Sequence, residues 1–205
     1  MTGESKVSVA ILGSTRGSAL RPIVKAWKAG QLAVDLSLVL SNRKSAGILD
    51  FAQSEGIDSV SVSAKDKTRE EFDREVSDKL MDHGIQIVLM IGYMRIVSPP
   101  FVSQWRGRLL NIHPSLLPRH GGLMDLDVHR SVLEAGDHES GCTLHLAEEE
   151  VDAGRIILQK KCPVTADDTP ESLKEKVQAL EGETFLEFLR APADFIDLSA
   201  EYPGH

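Results

Sequence analysis

Cysteine is scarce in this chain: Cys142 and Cys162 are the only two among 205 residues. Two cysteines cannot build the cross-linked framework on which small secreted domains depend, and their spacing fits no zinc motif. Both lie in apolar, strand-like runs, so they read as small core residues. No metal is expected either, because no pair of the seven histidines has HExxH or related zinc spacing. Long apolar runs are missing too. No stretch approaches the length that crosses a bilayer, and Met1-Thr2-Gly3-Glu4-Ser5-Lys6 lacks the cationic start and apolar core of a secretory leader. These absences predict a cytoplasmic protein with no membrane partner. Cationic residues are outnumbered, 23 Lys and Arg against 31 Asp and Glu, for a net charge of -8. That balance argues against nucleic acid as the main partner, since phosphate neutralisation needs a clustered cationic excess. A few arginines can still hold a small anion.

What remains is ordinary for a folded domain: 41% hydrophobic and 26% charged residues with no low-complexity tract. The length fits one domain, residues 1–190, followed by a Pro- and Gly-containing tail, 191–205, expected to pack loosely. Residues 6–12 form a β-branched run that enters Gly13-Ser14-Thr15-Arg16-Gly17-Ser18-Ala19-Leu20, after which an apolar-periodic segment continues to about residue 29. This is strand, loop, helix. Pro22 is tolerated only in a first helical turn, which starts the helix near residues 18–20 and turns its free N–H groups toward the loop. Such an end suits a phosphate, although the loop is neither GxGxxG nor a GxxxxGK[ST] P-loop, and a plain tight turn is the competing reading.

The alternation continues. Residues 33–40 and 59–62 read as strands, 44–55 and 69–83 as helices closed by Gly56 and Gly84, and 85–91 as an apolar strand covered on both faces. Repeated βα units imply a mainly parallel sheet with right-handed crossovers, an α/β, Rossmann-like mononucleotide-binding fold. Later come a short helix at 127–135 and strands at 141–147 and 155–163, whose short acidic connection implies an antiparallel C-terminal part. Thr169 and Pro170 then open a long helix as N-cap and first residue. Ligands of open α/β sheets collect outside the carboxyl ends of the strands. Three features are therefore expected to converge on one edge: the Gly/Ser loop, the segment 92–97, and the end of the strand containing Asn111 and His113.

That strand, Leu109-Leu110-Asn111-Ile112-His113, ends at Pro114, which has no N–H for a ladder. Period-two alternation turns Asn111 and His113 to the same face. Imidazole titrates near neutrality, and an amide N–H beside it can donate to an oxyanion as a carbonyl becomes tetrahedral. Asp152 must fold back to join them, and the neighbouring Glu148, Glu149 and Glu150 are expected to raise its pKa. Without a paired Ser or Cys, the trio points to direct transfer and not to an acyl-enzyme. His145 opposes Leu144 and Leu146 in alternation and borders the same edge, whereas His120, His129 and His138 read as residues of polar surroundings. Glu181 flanks the apolar stripe of the long helix, where most carboxylates are simply solvated.

Asn111-Ile112-His113-Pro114-Ser115-Leu116-Leu117-Pro118, together with Tyr93-Met94-Arg95-Ile96-Val97-Ser98-Pro99 and Val151-Asp152-Ala153-Gly154, resembles the formyltetrahydrofolate-dependent formyltransferase family over about residues 6–190. The resemblance implies that Asn111, His113 and Asp152 are catalytic. It implies that Met94, Arg95, Ile96, Val97 and Asn111, with the 148–152 turn, hold the folate of 10-formyltetrahydrofolate, and that Arg69 lies near a bound ligand. Gly17, Ser18 and Ala19 match the loop that takes a ribonucleotide phosphate, and Glu181 matches an acid that receives the amine of glycinamide ribonucleotide. The expected reaction is attack of that amine on the formyl carbon, as in de novo purine biosynthesis, by a monomer or homodimer with small-molecule substrates. Protonated His113, kept charged by Asp152, and Asn111 would stabilise the oxyanion. The rivals are a formyltetrahydrofolate hydrolase, which commonly brings a further regulatory domain, a methionyl-tRNA formyltransferase, which needs a basic region, and a non-catalytic phosphate-ligand module. The chain departs from the family at Thr15 and Arg16, where a Gly-Asn pair is usual, and at Ala19, where Asn is common. It also departs after Pro118, where residues 119–130 replace a shorter segment ending in His-x-His-Arg.

Overall fold

The computed structural model of the chain describes residues 6–199, so the reading of the first residues as no leader, and the tail from residue 200, lie outside the described residues. Seven strands, β1 Val7–Leu12, β2 Val34–Ser41, β3 Ser59–Ser61, β4 Ile87–Met90, β5 Leu109–His113, β6 Glu139–Leu146 and β7 Ile156–Pro163, form one sheet in the order β3-β2-β1-β4-β5-β6-β7. The pairings from β3 through β5 are parallel, and β6 runs antiparallel to both β5 and β7. Among the described residues, six α-helices connect or cover the strands: α1 Leu20–Lys28, α2 Gly47–Ser54, α3 Arg69–Asp82, α4 Pro99–Gln104, α5 Leu126–Glu134 and α6 Pro170–Arg190. The expected mainly parallel α/β sheet with an antiparallel C-terminal part is the one observed.

Alternation along the central strands divides the core between the two faces. Val9, Ile11, Ile87 and Leu89 join one apolar cluster with Ile23 of α1, Ile48 of α2 and Phe185 of α6, while Ala10, Leu12, Val88 and Met90 join the other with Phe72 of α3 and Phe101 of α4. Both faces of β1 and β4 are thus covered, which is why their sequences are nearly continuous apolar runs. The second cluster stops at Leu109 and Ala147. Beyond them, Asn111, His113, Thr143 and His145 continue that face as polar residues, with Asn111 paired to His145 and His113 to Thr143 across the β5–β6 ladder.

Helix α4 escapes the pattern because it has only six residues and opens on Pro99-Pro100. Proline is permitted there, since the first helical N–H groups need no partner inside the helix. Its apolar residues and the following Trp105 seal the lower end of α3, and Trp105 Nε1 donates to Ser77 Oγ at 2.9 Å. The start of the tail is not loose, contrary to expectation. Ile196 is buried, Phe195 packs on Phe188 with ring centroids 5.8 Å apart, and Arg155 donates to the Phe195 carbonyl at 3.1 Å. Apolar side chains one and two residues beyond the Pro192–Asp194 turn supply the burial that composition alone did not reveal. Among the described residues, no helix is long and apolar enough to cross a membrane.

Candidate active site

The strand order reverses direction between β1 and β4, so the loops that follow them leave the sheet on either side of one crevice. The β1 loop turns into α1 through Gly17 at φ 63°, beneath which Ile48 of α2 packs so closely that a Cβ on Gly17 would lie 2.5 Å from its Cγ1. No side chain caps α1, its first turn has no acid, and Pro22 is its third residue. The positive end of the helix therefore faces the loop formed by Gly17, Ser18 and Ala19, although the Leu20 and Arg21 N–H groups already donate to the Gly17 and Ser18 carbonyls at 2.9 and 3.3 Å, which leaves an anion to the amides of the loop itself. Arg16 is exposed beside it. Ser14 ties this loop to the next: its backbone N–H donates to the Gly92 carbonyl at 3.1 Å, and its Oγ accepts from Met94 N–H at 2.9 Å. Two of the three features expected at this edge are thus joined directly.

Residues 92–97 present Met94 and Ile96 to solvent, 37% and 55% exposed, and Val151 of the β6–β7 turn is 49% exposed. Exposed apolar side chains of this size suit a flat heteroaromatic ligand. Arg95 does not point outward as a free cation: its guanidinium lies 4.2 Å from the Phe72 ring centroid. Buried Asp73 accepts from Ser98 N–H at 2.5 Å. Burial holds the Asp73 pKa above the usual carboxylate value, opposed by Ser98, Arg95 and Arg69. Arg69, the first residue of α3, pairs with Glu70 at 3.8 Å.

Asp152 folds back. The chain leaves β6 beside the start of β5, where Ala147 N–H donates to the Leu109 carbonyl at 2.8 Å, and the 148–154 turn then rises over the sheet face. Gly154 permits this, because a Cβ there would fall 1.8 Å from the Leu146 carbonyl oxygen. Asp152 adopts φ 59°, a left-handed conformation that aspartate tolerates better than most residues. Its Oδ2 lies 3.1 Å from His113 Nδ1 and accepts from Gly122 N–H at 2.8 Å, and its Oδ1 lies 3.5 Å from His145 Nε2. His113 Nε2 donates to the His120 carbonyl at 3.0 Å. His145 Nδ1 donates to the Leu146 carbonyl at 2.9 Å, and its Nε2 sits between Asp152 Oδ1 and Asn111 Nδ2, 3.3 Å from the latter. Asn111 carries a second amide N–H for a substrate oxygen. Asn111, His113 and Asp152 are therefore brought together, with His145 and the 119–122 loop as further members.

The electrostatics differ from expectation in two respects. Burial tends to raise the Asp152 pKa, but bonds from His145 and the Gly122 amide and the charge of His113 outweigh it and leave the carboxyl below its ordinary value. These groups, and not the three neighbouring glutamates, are the largest influences on it. Burial also holds the His113 pKa below the ordinary 6.5, and the Asp152 carboxylate and the His120 carbonyl only partly restore it. Asp152 thus does not keep His113 charged before substrates arrive, because removing the imidazolium from water costs more than one carboxylate returns.

Glu181 of α6 stands apart from the trio. It is half-buried, and its neighbour Gly182 packs against Pro22 of α1, where a Cβ would meet Pro22 Cγ at 3.0 Å. Burial pushes its pKa up to about 7, opposed by Lys174. This is not a simply solvated carboxylate. His120 and His129, read from sequence as residues of polar surroundings, are both enclosed. His129 is 2% exposed and burial drives its pKa down to about 4. Alternation signalled His145, but nothing local marked His120. Among the described residues, no group of three or more His, Cys, Asp and Glu could hold a metal ion.

Known proteins resemble the chain along nearly its whole length. Residues 7–189 match the formyl transferase family. The trifunctional purine biosynthetic protein adenosine-3 of Chironomus tentans is 40% identical over 191 residues, which are 92% of this chain and 14% of that protein. The chain spans less than a fifth of the length of such trifunctional relatives. Phosphoribosylglycinamide formyltransferase of Escherichia coli is 40% identical, with 85% of this chain and 82% of that protein covered. The crystal structure of glycinamide ribonucleotide transformylase 1 from Symbiobacterium toebii superposes with a TM-score of 0.87 at 33% identity, covering 95% of this chain and 93% of that one. The chain belongs to the formyl transferase family.

Proposed function

We propose that the chain transfers the formyl group of 10-formyltetrahydrofolate to the amine of glycinamide ribonucleotide, a step of de novo purine biosynthesis. The observation that carries this reading is the single cluster in which Asn111, His113 and Asp152 meet on one sheet face, His113 lying 3.1 Å from Asp152. Family membership and the likeness to the Escherichia coli enzyme support it. Residues 1–190 serve as one formyltransferase domain, working in the cytoplasm as a monomer or homodimer on small molecules alone.

Each site residue then has a task. Gly17, Ser18 and Ala19 hold the ribonucleotide phosphate on the N-terminus of α1, and Glu181 receives the amine. Met94, Arg95, Ile96 and Val97 line the folate pocket with main-chain and apolar groups, and Arg69 interacts with the folate farther out. The amine nitrogen forms a bond to the formyl carbon while the carbonyl oxygen gains negative charge. Asn111 donates its free amide N–H to that oxygen. With its Nε2–H held by the His120 carbonyl, His113 begins neutral and bare at Nδ1 beside Asp152; Nδ1 takes the proton released by the attacking nitrogen and returns it to the folate nitrogen as the old C–N bond breaks. Asp152 stabilises the imidazolium during the interval. No proton is gained or lost overall.

Incubation with 10-formyltetrahydrofolate, with and without glycinamide ribonucleotide, tests the reading. Folate product that appears only with the amine is the expected result. Product in its absence identifies a hydrolase, and no product in either case identifies a binding module.

A further inference from the structure

The loop that departs most from the family pattern is the one that grips the proposed proton carrier. Residues 119–122 touch both halves of the acid-histidine pair: the His120 carbonyl accepts from His113 Nε2 at 3.0 Å, and the Gly122 amide donates to Asp152 Oδ2 at 2.8 Å. Both contacts are made by backbone, so they depend on what fixes the loop. That anchor is the His120 side chain. Its Nε2 lies 2.8 Å from Asp137 Oδ2, and its Nδ1 lies 2.8 Å from Ser131 Oγ of α5. Its side chain is 10% exposed and that of Asp137 is 11% exposed, so water competes little for the bond. Arg119 closes the other oxygen of Asp137, and Ser115 Oγ donates to the Arg119 carbonyl at 2.6 Å. His120 itself holds φ 58°, a conformation uncommon for a non-glycine residue and sustained only where surroundings over-determine it.

We propose that His120 is a positioning residue for His113: anchored on Asp137 and Ser131, it fixes one carbonyl and one amide against the His113–Asp152 pair. The proposal rests on the reading of His113 as proton carrier. His120 does not meet the reacting atoms. It acts by fixing the ring of His113 and by supplying an acceptor that favours the imidazolium. The other titratable groups around His113 are Asp152 from the β6–β7 turn, His145 from β6 and His129 from α5.

Glycine suits φ 58°, so His120→Gly removes the anchor without adding backbone strain. The expected result is a kcat lower by about tenfold, a modest misplacement of a catalytic group, with KM for both substrates within about twofold. NMR titration of the His113 ring in the ligand-free protein should show its pKa moved lower still, because an acceptor that favours the charged form is lost. His120→Gln, whose amide nitrogen takes the place of Nε2 and can still donate to Asp137, should restore most of kcat. Should His120→Gly fail to fold, Asp137→Asn tests the same anchor from its far end with the same readings. An unchanged kcat overturns the proposal, and so does a kcat loss with an unmoved His113 titration, which assigns a merely structural role. His113→Ala is measured alongside. If that variant turns over normally, the reading of His113 itself fails, whereas a dead His113→Ala beside a normal His120→Gly overturns the positioning role alone.

Discussion

His113 stands between two acceptors and still has a pKa below the ordinary 6.5, because burial opposes its charge. Such a ring starts neutral near pH 7 and gains a proton only when negative charge grows beside it, which is the behaviour required of a proton carrier in direct amine transfer. Losing one oxyanion donor typically costs about a hundredfold to a thousandfold in rate. Asn111→Ala and His113→Ala are each expected to lose kcat on that scale while circular dichroism and Tm show an intact fold. Asp152→Asn should act differently. Removing a neighbouring carboxylate lowers the His113 pKa further, so the pH limb of kcat belonging to His113 should move to lower pH as the rate falls; a limb that stays in place would disconnect the two residues.

At the level of elements, α1 and α6 divide the proposed ribonucleotide site between them. Gly17 is fixed by φ 63° and by the Ile48 side chain beneath it, and any Cβ would displace the loop that follows β1. Gly17→Ala is expected to raise KM for glycinamide ribonucleotide by about tenfold or more, the cost of one or two displaced phosphate contacts, with KM for the folate little changed. On α6, desolvation of the half-buried Glu181 lifts its pKa to about 7, so its ionised fraction rises across the neutral range. Binding of glycinamide ribonucleotide should show a limb near pH 7, tightening as the carboxyl loses its proton, and Glu181→Gln should abolish that limb. The start of α6 offers a control remote from the chemistry. Thr169 and Ser172 form a reciprocal cap, and Thr169→Ala should cost about 1 kcal/mol of stability in denaturant unfolding with kcat unaltered.

For the molecule as a whole, His129 couples stability to pH. A histidine whose pKa falls on folding from 6.5 to about 4 binds fewer protons folded than unfolded across that interval. Stability is therefore lost as pH drops from about 6.5 toward 4, by roughly 3 kcal/mol for this group. His129→Leu should flatten the decline of Tm between pH 7 and 5, whatever its effect at neutral pH; an equally steep decline would remove His129 as its cause. The sequence by itself determined the strands and, α4 apart, the helices of the parallel half, the meeting of the Gly/Ser loop with the segment 92–97 at one edge, and the shared face of Asn111 and His113. Periodicity, prolines and glycine turns are local signals, and the rules linking βα units leave few topologies. It did not determine the short α4, the packed start of the tail, or the electrostatics of the trio. Asp152 lies low because of His145 and the Gly122 amide, and His113 meets the carbonyl of His120, a residue whose own neighbours give it no signal. Burial and hydrogen bonding between segments exist only once the chain has brought those segments together, so only the tertiary structure could decide them.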